Sequence, residues 1–92
     1  MGDSTKQYYT KMPEDYSIKL AQRIGKNLKR KREESKMTIY HLSTRTGINW
    51  NTIKHWEHGT NVPHLDYLLW ICHVMGWKMS ELLGGKQNDG SD

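Results

Sequence analysis

Apolar residues recur with helical spacing between about residue 16 and residue 83, and nowhere do they alternate as a half-buried strand would. Ile18, Ala21, Ile24 and Leu28 stand three and four apart, which places them on one face of a helix running from an N-cap at Ser17 to Glu34. Lys19, Arg23, Lys26, Lys29 and Arg30 fall on its other side. A second helix is predicted after Thr38, ending before Gly47, with Ile39, Leu42 and Thr46 inward. A third follows the N-cap Asn49, held by Ile53 and Trp56 and stopped at Gly59, with Pro63 barring continuation. A fourth spans Leu65 to Met75, with Leu65, Leu68, Leu69, Cys72 and Met75 inward and Gly76 as its stop. A short fifth carries Met79, Leu82 and Leu83 before Gly84-Gly85. The expected fold is all-α: a compact five-helix bundle over 16–83, with a flexible arm at 1–15 and a disordered tail at 84–92.

The second and third helices are short and separated by Gly47-Ile48. Crossing at a wide angle requires a turn residue tolerant of positive φ, which Gly47 supplies, and Ile48 then plugs the core beneath it. With Ile53 and Trp56 facing inward, the first turn of the third helix projects outward. It can enter a groove about 12 Å wide, the major groove of DNA.

Composition narrows the partners. A chain of 92 residues with a formal charge of +4 favours one domain and an anionic partner. One cysteine excludes an internal disulfide and fits a reducing cytoplasm. Mean hydropathy is −0.90, and no apolar run suits a signal peptide or a membrane span. Lys29-Arg30-Lys31-Arg32 covers about one turn, so its charges point all round the helix and do not form one patch. His55 and His58 stand at a ligating spacing, but nothing completes a zinc set near them, so no metal site is expected. No nucleophile–base set, carboxylate pair or phosphate-cradling glycine loop is recognisable; the chain reads as a non-enzyme without cofactors.

From Ile24 to Leu83 the chain resembles the phage repressor–Cro (XRE) helix-turn-helix family. The likeness rests on Leu28, Arg32, Thr38, Leu42, Gly47-Ile48, Asn49, Thr52-Ile53, Glu57, Gly59, Pro63, Leu65, Leu68-Leu69, Met75-Gly76 and Met79-Ser80-Glu81-Leu82-Leu83 in one register without insertion. It implies a lambda repressor-like DNA-binding domain and a transcriptional regulator, a repressor acting as a homodimer on a two-fold operator. It places base contacts on Trp50, Asn51 and His55. Backbone contacts fall at the Thr38 cap, Asn49, Lys54, and Thr60 and Asn61 in the loop that follows. By side-chain chemistry Asn51 suits adenine, His55 guanine and Lys54 a phosphate, while an indole at 50 suits a thymine methyl or the sugar–phosphate wall. The resemblance also pairs Arg32 with Glu57, tying the recognition helix to the scaffold. It has Ile39 where a glutamine commonly contacts phosphate. It puts Trp56, Trp77 and Cys72 in the core. Trp70 falls at an outward position, either as part of a partner surface with Tyr67 and His73 or lying flat on its own helix. That surface, with the polar arm at 1–15, supports a second reading: an antitoxin or adaptor that binds a protein and DNA secondarily.

Overall fold

The computed structural model describes residues 11–84. Five helices and no strand occur among them: α1 (Tyr16–Glu34), α2 (Ile39–Thr46), α3 (Trp50–Glu57), α4 (Leu65–Met75) and α5 (Met79–Leu83). One core cluster joins all five, through Ile24 and Leu28 of α1, Leu42 of α2, Ile53 and Trp56 of α3, Leu68, Ile71 and Cys72 of α4 and Leu82 of α5. Ile48, in the α2–α3 turn, is buried against the same cluster. Of the anticipated arm and tail, residues 1–10 and 85–92 lie outside the described residues.

The helix ends follow local chemistry. Thr38 caps α2 by accepting the His41 N–H at 3.0 Å, and Asn49 caps α3 by accepting the Asn51 N–H at 2.8 Å. Gly47 (φ 76°), Gly59 (φ 73°) and Gly76 (φ 71°) stop α2, α3 and α4 in the left-handed region, where a Cβ is strained. At the end of α3 the Gly59 N–H donates to Trp56 O (3.0 Å) and the Thr60 N–H to His55 O (3.1 Å), the paired bonds of a Schellman motif. The same motif ends α1, with Lys36 at φ 60° in the position glycine usually takes.

Several expected placements are corrected. α1 starts at Tyr16, because the Asp15 carbonyl accepts the first helical bond, from the Lys19 N–H at 3.0 Å; its N-cap is Asp15, not Ser17. Ile18 is 58% exposed, on a surface groove that it lines with Ala21 and the loop at 59–62. α4 is apolar almost all round, so spacing alone leaves its register ambiguous. Leu68, Ile71 and Cys72 take the core, which turns Leu65 and Leu69 outward, 63% and 51% exposed. In α5, Leu82 fills the core and Leu83 is left at the rim. Trp77 is half-buried against the core with the Lys31 ammonium 5.7 Å from its ring centroid. Burial raises the Cys72 thiol above its ordinary pKa, with the Glu81 charge adding to the shift, so it is a poor nucleophile.

Candidate nucleic-acid interface

α2 and α3 meet through the Gly47-Ile48 turn, which hydroxyls hold in shape. The Ser43 hydroxyl donates to Ile48 O. The Thr46 hydroxyl donates to Leu42 O at 2.8 Å and accepts the Ile48 N–H at 3.2 Å. The Gly47 N–H bonds to Ser43 O at 2.8 Å, so both amides of the turn and the Ile48 carbonyl have partners in α2, which helps fix the crossing of the two helices. Trp70 reinforces it from α4, its indole N–H donating to Thr46 O at 2.6 Å while its ring stacks on His73.

α3 is fixed from behind. Ile53 and Trp56 are buried, and Arg32 of α1 grips the helix end with two parallel bonds, Nε to Glu57 Oε2 (2.7 Å) and Nη2 to Glu57 Oε1 (2.9 Å). Its Nη1 donates to Met37 O at 2.7 Å, so one guanidinium joins α1, the segment leading into α2, and α3. The Glu57 hydrogen bond raises the Arg32 pKa above its ordinary value, against an opposing effect of burial. Planar, two-pronged pairing is the geometry arginine supplies and lysine does not. Gly25 completes the backing. A Cβ there would overlap the Trp56 carbonyl oxygen and lie 3.1 Å from Glu57 O, so α1 and α3 approach backbone to backbone.

The opposite face of α3 is open. Trp50, Asn51, Lys54 and His55 are all exposed, as are Thr38 and Asn49 at the two caps and Thr60 and Asn61 beyond Gly59. The structure thus brings every residue anticipated for nucleic-acid contact onto the surface around the α2–α3 pair, with the Lys54 ammonium and the His55 imidazole both on the open face of α3. A surface of helix N-termini, amides and cations suits an anionic, hydrogen-bonding partner.

Residues 27–87 match the family model described as the Cro/C1-type HTH DNA-binding domain. The chain belongs to that family. No curated protein matches this Cro/C1-type chain. Among solved structures it is similar to an HTH_3 family transcriptional regulator from Vibrio cholerae, with a TM-score of 0.68 and 18% identity, covering 71% of this chain and 36% of that one. It is also similar to a transcriptional regulator from Listeria innocua (TM-score 0.59, 19% identity, 75% of this chain and 64% of that one). A further likeness is to the cobalt(II) protein HppE in complex with Tris buffer (TM-score 0.63, 28% identity), covering 79% of this chain and 43% of that one. This Cro/C1-type chain thus spans between about a third and two-thirds of the length of these proteins. Among its described residues no three His, Cys, Asp or Glu side chains gather as a metal site, and no helix is long and apolar enough to cross a membrane.

Two features of the interface escaped the sequence reading. Tyr40, 63% exposed on the first turn of α2, lies with its ring centroid 5.3 Å from that of Trp50. Its only signal was an aromatic in the first turn of α2. Ser43, and the hydrogen bonds of Thr46 beyond its expected inward placement, show their part in pinning the turn only once their partners are seen.

Proposed function

We propose that the chain is a sequence-specific transcriptional regulator, a repressor, that docks the N-terminal half of α3 in the major groove. In this reading Trp50, Asn51 and His55 meet base edges, with Asn51 bidentate on adenine and His55 donating to guanine. Thr38, Asn49, Lys54, Thr60 and Asn61 meet the sugar–phosphate backbone and set the register. The observation that carries it is the division of α3: Ile53, Trp56 and Glu57 are held in the scaffold while Trp50, Asn51, Lys54 and His55 are turned out. No catalytic or cofactor role is assigned, and the site of action is the cytoplasm.

A single module of this size covers one half-site, so we assign the working unit to a homodimer on a two-fold operator. The exposed apolar side of α4, with Leu65, Leu69 and the outer edge of Trp70, supports a protein contact there. The same side is what an antitoxin or adaptor would offer to a different protein, so the second reading remains attached to α4 and not to α3.

The test is selection of DNA from a random duplex pool, followed by gel shifts with Asn51→Ala and His55→Ala. A good bidentate base contact is worth about 1–3 kcal/mol, so Asn51→Ala is expected to lose roughly tenfold or more in preference for the selected sequence over random DNA. Its thermal melting should be unchanged, because the side chain is exposed. Undiminished preference in both variants would remove them from the interface. Two-fold symmetry in the selected sequence would support the dimer, and its absence would count against it.

A further inference from the structure

The outward surface of the α2–α3 pair is polar except at one point. Thr38, His41, Asn49, Asn51, Lys54 and His55 are exposed along with two aromatic rings, Tyr40 on the first turn of α2 and Trp50 at the start of α3. Both rings are exposed, by 63% and 38%, yet they meet each other across the helix pair, with centroids 5.3 Å apart and planes inclined by 38°. The Lys54 ammonium, one turn further along α3, lies 5.9 Å from the Trp50 ring centroid. The indole is therefore braced on one side by a neighbouring helix and on another by its own. A ring held in this way presents surface; it is not free to swing out as a wedge between base steps. Neither ring belongs to the buried core cluster.

An apolar spot on a face built for nucleic acid needs an apolar partner in the groove. The major-groove edges of the four base pairs carry only one such group, the 5-methyl of thymine; 5-methylcytosine carries the same group at the same ring position. We infer that Tyr40 and Trp50 together form a contact site for a pyrimidine 5-methyl group, adjoining the base contact assigned to Asn51. The inference rests on the proposed docking of α3 and adds to it a defined chemical specificity, with Tyr40 as a further determinant. Asn51 reads hydrogen-bonding edges, while the aromatic pair reads the methyl that distinguishes thymine from uracil and 5-methylcytosine from cytosine.

The test uses the duplex enriched by the full chain. Each thymine is replaced singly by deoxyuridine, which removes a methyl and leaves charge and hydrogen-bonding groups in place. Burying one methyl-sized group corresponds to about fourfold in affinity. A loss of that size is expected at one or two positions per half-site and none elsewhere. In a second arm each cytosine is replaced by 5-methylcytosine; a gain of similar size at a cytosine, with no thymine sensitive, would assign the site to methylated cytosine and not to thymine. Trp50→Ala and Tyr40→Ala should bind methylated and unmethylated duplexes alike, and both should still fold because the rings are exposed. Equal binding of every deoxyuridine duplex by the unaltered protein, together with no gain from any 5-methylcytosine, would overturn the inference while leaving the docking of α3 intact. Persistence of the full methyl effect in both variants would also overturn it. Failure to enrich any duplex would overturn the docking as well.

Discussion

Gly25→Ala is the perturbation that most sharply separates this packing from what local rules suggest. In the middle of a 19-residue helix, glycine is a poor choice, and replacing it with alanine ordinarily stabilises by about 1 kcal/mol. Here the added Cβ would overlap the Trp56 carbonyl oxygen and sit 3.1 Å from Glu57 O. Both neighbours are backbone, so neither can rotate aside, and α3 has to shift bodily from α1. Overpacking of a tight interface costs typically 1–3 kcal/mol, and displacing a backbone lies toward the upper part of that range. After subtracting the propensity gain, a net loss of about 1–2 kcal/mol is expected, which for a domain of this size lowers Tm by roughly 4–16 °C. Thermal unfolding followed by circular dichroism measures it. Affinity for a selected duplex, measured well below Tm, should fall too, because the helix that moves is the one carrying Asn51 and His55. A variant that melts higher than the unaltered chain, as an unconstrained helix glycine would allow, refutes the close approach of α1 and α3.

Three further outcomes follow from side chains elsewhere. Glu57→Gln leaves the buried Arg32 guanidinium without its carboxylate and should cost about 3–5 kcal/mol in denaturant unfolding, well above the 1 kcal/mol or less of an exposed pair; a loss below about 1 kcal/mol would mean the pair is not structural. Lys36→Gly should stabilise by up to about 1 kcal/mol, since φ 60° strains any residue with a Cβ, and a lower Tm would contradict that backbone assignment. The Lys78 backbone N–H, and then the Lys31 ammonium, hold the Glu81 carboxyl below its ordinary pKa of 4.5. A lowered folded pKa gives stability that is present above the ordinary value and is lost as pH falls through the folded one. Glu81→Gln should therefore be less stable than the unaltered chain at pH 7, with the difference shrinking as urea melts are repeated below pH 4.5; a difference independent of pH would exclude this role.

Helix number and most helix ends were legible because their causes are local. Thr38, Asn49, Gly47, Gly59 and Gly76 act on their own turns, and each marks in the structure the boundary its chemistry suggests. Contacts between distant segments were not legible. Gly25 is small because of Trp56 and Glu57, and nothing near it in the chain shows that. Asn27 lies in a run of basic residues and nothing in the sequence marks it, yet it is buried and donates to Leu82 O and Gly84 O at 2.7 and 2.8 Å. In α4 the wealth of apolar residues itself hid the register, so Ile71 was missed and Leu65 and Leu69 were misplaced. The outward face of α3 was readable from Ile53 and Trp56 alone, because burying those two fixes which way Asn51 and His55 point. Tyr40 was not, since its relation to Trp50 depends on the crossing of two helices.

The most direct test follows backbone amide signals of the whole chain by NMR while a selected duplex is added. The account predicts that the large shifts fall on residues 38–40, 49–55 and 60–61, with α4 affected only where subunits meet. Large shifts centred on Leu65, Leu69 and Trp70 with the signals of Asn51 and His55 unmoved would contradict it, because DNA would then be held by a different face of the bundle.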